Sequence, residues 1–275
     1  MDIIKKLAQE LAIKEEQAKA AVQLIDEGNT IPFIARYRKE MTGALNDETL
    51  RNLHERLLYL RNLEEKKEQV INAITDQGKM TEDLKKKILS AETLVAVDDL
   101  YRPYRPKKQT RATKAKEKGL EPLANILLLQ KTTKSMEEEA AAFVNAEKGV
   151  ANAKEAIAGA KDIIAEMIAD LADYRKSIRN CTMKQGSLVV KAKDEKAESV
   201  YEMYYDFREP LSKVTGYRVL AINRGEKEKF LTVKIEAPQD DILRYLEKKM
   251  IHSDNPYTTP ILKEAVEDSY KRLIA

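Results

Sequence analysis

Leucine recurs at positions 50, 53, 57, 60 and 63, and Val70, Ile71 and Ile74 continue the same stripe. That near-heptad spacing lays one apolar face along a single helix. Asn46 stands where an N-cap belongs, Asp47 and Glu48 suit the positive end of the helix dipole, and Gln77-Gly78 supplies the stop. A helix over 46–77 is about 45 Å long at 1.5 Å per residue. A rod of that length is expected to be a spine shared by two subdomains.

Residues 2–27 read as two short helices around a tight turn. Ile3, Ile4, Leu7 and Leu11 share one face; Gln17, Ala20, Ala21, Leu24 and Ile25 restart the pattern, and Gly28 stops it. The pair resembles a helix-turn-helix. Versions that read DNA sequence present basic or amide side chains at the start of the second helix. Here Lys14-Glu15-Glu16 is mostly acidic, so a packing hairpin is expected. In residues 29–43, Thr30 is a candidate N-cap and Pro32 sits in the first turn. Arg36, Arg38 and Lys39 follow, either as a basic contact or as partners of the acid-rich helices.

Thr81 and Thr93 each begin a short helix, the second ending at Leu100, and Glu121-Pro122 opens another through Leu129. Residues 135–180 read as a helical hairpin split at Gly149, with capping boxes Ser135/Glu138 and Asn152/Glu155. Its second helix carries Ile157, Ile164, Ile168 and Leu171 on one apolar face. After Gly186 the texture changes. Strands are expected at 187–193 and 230–235. Helices are expected at 196–207, at 217–226 with Gly225 as exit, near 241–251 and over 257–275. The fold class is therefore mainly α and multi-helical, with an N-terminal helix-turn-helix-like hairpin, a long spine helix and a small α/β portion near the C-terminus. Three regions are expected: 1–78, 79–185 and 186–275. The last ends in an unstopped helix and is expected to be incomplete.

Charge is concentrated in residues 98–124, DDLYRPYRPKKQTRATKAKEKGLEPLA. Between Tyr101 and Lys118 stand Arg102, Arg105, Lys107, Lys108, Arg111, Lys114, Lys116 and Lys118 against one acid, Glu117. That is a net +7 in a chain whose total is +3. Local basicity of this kind suits phosphates or an acidic partner. Proline after Arg102 and Arg105 predicts an extended ribbon. In such a ribbon Tyr101 and Tyr104 could stack bases while the arginines contact phosphates. The alternative is a brace, with tyrosines packed on helices and arginines paired to Asp98, Asp99 or helix C-termini.

Other chemistries find little support. There is no Gly-rich phosphate loop of either common pattern. His54 and His252 have no cysteine beside them, and the adjacent pairs Asp98-Asp99 and Asp240-Asp241 make poor shared ligands, so no metal or cofactor is expected. Cys181 is the lone cysteine and suggests no catalytic triad; no enzyme is expected. No apolar run approaches about 18 residues, no signal-peptide core opens the chain, and a cytoplasmic protein without membrane contact is expected.

Four blocks carry a family resemblance: IDEGNTIPFIARYRKEMTG (25–43), ERLLYLRNLEEKKEQVINAITDQGKMT (55–81), residues 98–124, and EPLSKVTGYRVLAINRGE (209–226). Together they resemble the bacterial Tex family of transcription accessory proteins. The fourth block has Thr215-Gly216-Tyr217-Arg218 where the family more often has Pro-Ser-His-Arg. The resemblance implies the N-terminal helical part of a longer protein, followed by an RNase H-like domain, helix-hairpin-helix elements and an OB-fold RNA-binding domain. It implies RNA or single-stranded DNA as partner, bound mainly through those further domains, and a role near the transcription machinery. Auxiliary phosphate contacts are expected from the basic segment and from Arg36, Arg38 and Lys39.

Overall fold

A computed structural model describes residues 2–275. Packing divides the chain after Tyr104 into two compact units.

The first unit is all helical: α1 (Ile3–Glu10), α2 (Glu15–Asp26), α3 (Ile31–Tyr37), α4 (Lys39–Thr42), α5 (Asp47–Asp76), α6 (Glu82–Ser90) and α7 (Leu94–Tyr101), then one 3-10 turn, Arg102–Tyr104. Polar caps start these helices where the sequence places them. Asn46 accepts the Thr49 N–H at 2.7 Å, Thr81 that of Leu84 and Thr93 that of Ala96. Thr30 occupies the N-cap of α3 but its hydroxyl makes no capping bond. Leu50, Leu53, Leu57, Leu60, Leu63, Val70 and Ile74 of α5 are buried, in one core with Leu7, Leu24 and Ile34 and with Ile88 and Val97. Residues 79–104 thus fold back along α5. The rod is a spine inside one unit, not one shared by two as its length suggested.

Two guanidinium forks tie the N-terminal hairpin to α5. Arg56 donates to both oxygens of Glu10 at 2.5 and 2.9 Å, and Arg61 to both of Asp26 at 2.7 Å. These hydrogen bonds hold both carboxyls below their ordinary range. A carboxyl depressed in the folded state stabilises it above the unfolded pKa and loses that effect as pH falls through the folded value. The melting temperature is therefore expected to drop as pH is lowered below the ordinary carboxylate range, about 4. The double variant Glu10→Gln, Asp26→Asn should melt lower at neutral pH and show a shallower acid decline.

The second unit contains α8 (Arg111–Glu117), α9 (Glu121–Leu129), α10 (Met136–Ala141), α11 (Ala153–Asp170), α12 (Ala172–Gln185), β1 (Ser187–Ala192), β2 (Asp206–Pro210), α13 (Gly216–Lys227), β3 (Leu231–Glu236), α14 (Gln239–Met250) and α15 (Thr259–Asp268), which ends in a π turn, Ser269–Ile274. Helix α11 is its hub, packed against α8, α9, α10 and α15. Small residues permit this: Ala156, Ala160, Ala165 and Ala169 are buried. A Cβ on Gly159 would stand 2.4 Å from Leu120 Cδ1, so Leu120 sits where a larger residue would be. Ser135 and Asn152 cap α10 and α11 as expected. The expected long second arm of this hairpin is broken at Leu171, which is extended (φ −72°, ψ 113°) with its side chain exposed.

Helix α9 ends at Gln130, in the left-handed conformation (φ 53°). Its buried amide donates to the Met250 carbonyl at 2.7 Å and accepts the N–H groups of His252 and Ser253 at 2.9 and 3.1 Å. Asn255 donates to the carbonyls of Gln130 and Thr132. The loop between α14 and α15 is thereby stitched to the end of α9.

The sheet has order β2-β1-β3, both pairs antiparallel. Leu188, Val190 and Leu231 close a small core with Tyr201, Tyr204 and Ile222. The helix expected at 196–207 is not formed. Glu202–Tyr204 make a 3-10 turn, and Phe207 pairs opposite Val190 in β2. Sheet pairing overrides the helix-like spacing of the aromatics. Gly225 is not a helix exit either. It lies within α13, where an added Cβ would meet Leu231 Cδ1 at 2.6 Å.

Candidate nucleic-acid interface

The first unit presents a basic corner where α3 meets α4. Arg38 ends one helix and begins the next (φ −129°, ψ 28°), so this stretch forms two short helices. Its guanidinium lies 5.0 Å from the Phe33 ring centroid and donates to the Tyr37 carbonyl. Arg36 and Lys39 are exposed and join no ion pair among the described residues. The corner is held from behind. Gln17 donates to the carbonyls of Thr42 and Gly43 at 3.2 and 3.0 Å. Gly43 is left-handed (φ +61°), and a Cβ there would stand 2.7 Å from Gln17 Nε2. Between the cations, Tyr37 is 64% exposed. Sequence reasoning passed over this tyrosine, although its place between two arginines and four residues from Phe33 marked it.

In the same unit, Tyr101, Arg102 and Tyr104 do not form an extended ribbon. Tyr101 is the last residue of α7, and Arg102 stays helical (φ −50°, ψ −45°) although Pro103 follows. Pro103 has no N–H to give the Asp99 carbonyl, so the α-helix tightens into a 3-10 turn instead of opening. Both tyrosines are half-buried against the first core, and the Tyr104 carbonyl accepts from Gln77 Nε2 at 2.9 Å. Part of each ring packs against that core. Arg102 is half-buried beside them.

The second unit carries the remaining cations. Arg105 is exposed. Lys107 turns inward, 3.3 Å from Glu166 and hydrogen-bonded to Asp170, both on α11. Lys118 donates to the Gly149 carbonyl at 2.7 Å, and Lys116 lies 3.7 Å from Glu121. Helix α8 is set by a capping box between Thr110 and Thr113, with Ala112 and Ala115 buried on its inner side. Arg111 and Lys114, three residues apart, lie on its exposed side. Lys108, Arg111 and Lys114 are exposed and in no ion pair among the described residues. Asp162, within reach of the Arg111 and Arg272 charges, has its carboxyl pushed up by burial nonetheless. The basic run therefore separates into inward braces and outward charges.

Among the described residues no group of three or more His, Cys, Asp or Glu side chains is placed to hold a metal ion, and no helix is long and apolar enough to cross a membrane.

Two family profiles match the chain: "Tex-like protein N-terminal domain" over residues 1–75 and "Tex central region-like" over residues 131–264. The chain belongs to the Tex family. It is 45% identical over 271 residues to the protein YdcI of Bacillus subtilis, an alignment covering 98% of this chain and 38% of that protein. It is 41% identical over 244 residues to the transcriptional accessory protein Tex of Neisseria gonorrhoeae, covering 88% and 32%. The human S1 RNA-binding domain-containing protein 1 is 31% identical over 289 residues, covering 99% and 29%. This Tex-family chain spans about a third of the length of the curated relatives it matches. The exposed cations of α8 and the segment before it fall between the two matched Tex stretches.

Proposed function

We propose that this chain is a nucleic-acid-binding scaffold that works beside the transcription machinery in the cytoplasm and acts by binding rather than catalysis. Lys108, Arg111 and Lys114 carry the reading: they are exposed and join no ion pair among the described residues, with only the charges of Asp162 and Asp268 reaching Arg111. At Lys108 and Lys114 phosphates would replace only water and counterions. Arg36, Arg38 and Lys39 offer a second, separate contact, with Tyr37 as a ring on which a base can stack. The names of the relatives, one a transcriptional accessory protein and one an S1 RNA-binding domain-containing protein, support RNA or single-stranded DNA as partner. The contacts are auxiliary to those made by the rest of the longer relatives. Lys107, Tyr101 and Tyr104 support a second role for the same segment, bracing the unit to which each belongs.

The test is fluorescence anisotropy with labelled RNA, single-stranded DNA and duplex, titrated in salt. The triple variant Lys108→Glu, Arg111→Glu, Lys114→Glu is expected to weaken single-strand binding by at least about tenfold. It should also flatten the log–log salt slope by about 2. Lys107→Ala, the control, should lower the melting temperature and leave the slope alone. An unchanged slope in the triple variant would sink the contact claim.

A further inference from the structure

Strand β3 lies at the edge of the sheet, with β1 as its one neighbour. The Lys193 N–H donates to the Phe230 carbonyl at 2.9 Å, which sets the alternation along the pair. Thr232, Lys234 and Glu236 exchange bonds with β1, whereas Val233 and Ile235 aim N–H and C=O at the open side. No other backbone group among the described residues takes up those bonds. Ile235 stands opposite buried Leu188, on the face that carries the small core, yet it is 55% exposed. Beside the edge is a cavity of about 720 Å³ bordered by Lys234, Ile235 and Glu236, which leaves room for another strand.

A lysine on an open edge ordinarily keeps copies of a chain apart. Here its effect depends on register. Two β3 strands paired antiparallel about a two-fold axis are centred on one residue that faces itself. Centred on Lys234, the pair sets two ammonium groups against each other. Centred on Val233, it sets Lys234 against Thr232. Centred on Ile235, it sets each Lys234 against Glu236 of the other copy. Only this last register matches opposite charges, and its central residue has open peptide groups to exchange. Lys234 is exposed and joins no ion pair among the described residues. Glu236 accepts from Arg208 through Oε2 at 2.6 Å, which leaves Oε1 for a second cation.

We infer that this chain associates with a second copy of itself through the open edge of β3, the two strands antiparallel and centred on Ile235. Ile235 of each copy exchanges N–H and C=O bonds with Ile235 of the other, and Lys234 of each meets Glu236 of the other. The two isoleucines lie side by side on the core face of the joined sheet and cover one another. This surface uses none of the cations proposed to contact phosphate, so its failure would leave that reading standing.

The test is sedimentation velocity of this chain over a concentration series, where a monomer–dimer equilibrium in the micromolar range is expected. Lys234→Glu alone and Glu236→Lys alone should each weaken dimerisation at least about tenfold, because like charges then face each other on both sides of the axis. Mixing the two variants should restore it, since one copy then presents only carboxylates at these positions and the other only ammonium groups. That recovery also shows that both variants are folded. The double variant Lys234→Glu, Glu236→Lys should dimerise as the parent does, a loss and recovery that only the register centred on Ile235 produces. Hydrogen exchange at the Val233 and Ile235 amides should slow as concentration rises. A chain that stays monomeric up to about 1 mM, single variants that dimerise like the parent, or failure of both the mixture and the double variant to recover would overturn the inference.

Discussion

Replacing Gln130 by alanine is expected to destabilise the second unit by about 3 kcal/mol, since three backbone groups lose their partner at once. Gln130 is 4% exposed and answers one carbonyl, Met250, and two N–H groups, His252 and Ser253. Alanine offers none of these bonds, and a buried polar group left unpaired costs about 1–3 kcal/mol. Water reaching the His252 and Ser253 side of the loop would recover part of the loss, hence an estimate at the low end of the sum over three groups. The replacement keeps the left-handed backbone strain and removes what stabilises it. Gln130→Glu is the sharper comparison. It retains the acceptor for His252 and Ser253 but sets a carboxylate oxygen against the Met250 carbonyl, so it should also destabilise. Denaturant melts of the three proteins read this directly; a Gln130→Ala midpoint equal to the parent's would show that the stitch contributes nothing.

Lys67→Ala is expected to cost about 3 kcal/mol in the first unit, toward the lower end of what breaking a buried pair costs. Lys67 is 2% exposed, with its ammonium 2.9 Å from both Glu64 Oε1 and the Leu89 carbonyl. Alanine removes the four-carbon stem from between α5 and α6 and leaves the end of α6 without its donor. Glu64 keeps access to water, which tempers the penalty on that side. Lys67→Met keeps an apolar stem of similar length but loses the charge and its donors, so it should fall between parent and alanine. Equal losses for both variants would place the whole effect in the ammonium; no loss in methionine would place it in packing.

Much of this architecture was legible because it is local. The leucines of α5, its Asn46 cap and the caps at Thr81, Thr93, Ser135 and Asn152 each act within a few residues along the chain. Errors fell where distant partners decide. Tyr201, Tyr204 and Tyr205 have helical spacing, but the pairing of Phe207 with Val190 draws the chain into a sheet. Gly225 resembles a stop until Leu231 is seen packed against it. The interface divides in the same way. A charge excess between 101 and 118 can be counted from the sequence. That Lys107 is a brace and Lys108 is not depends on Glu166 and Asp170, some sixty positions on. The proline rule misled at Arg102, because the turn tightened instead of opening.

The seat of Leu120 on Gly159 bears on how this protein can drift. A methyl group at 159 meets leucine at 120 unless that side chain or its helix shifts, and a smaller residue at 120 leaves a void unless 159 grows. Each change alone costs packing, but made together they conserve volume. The two positions, thirty-nine apart in the chain, are therefore expected to change as a pair.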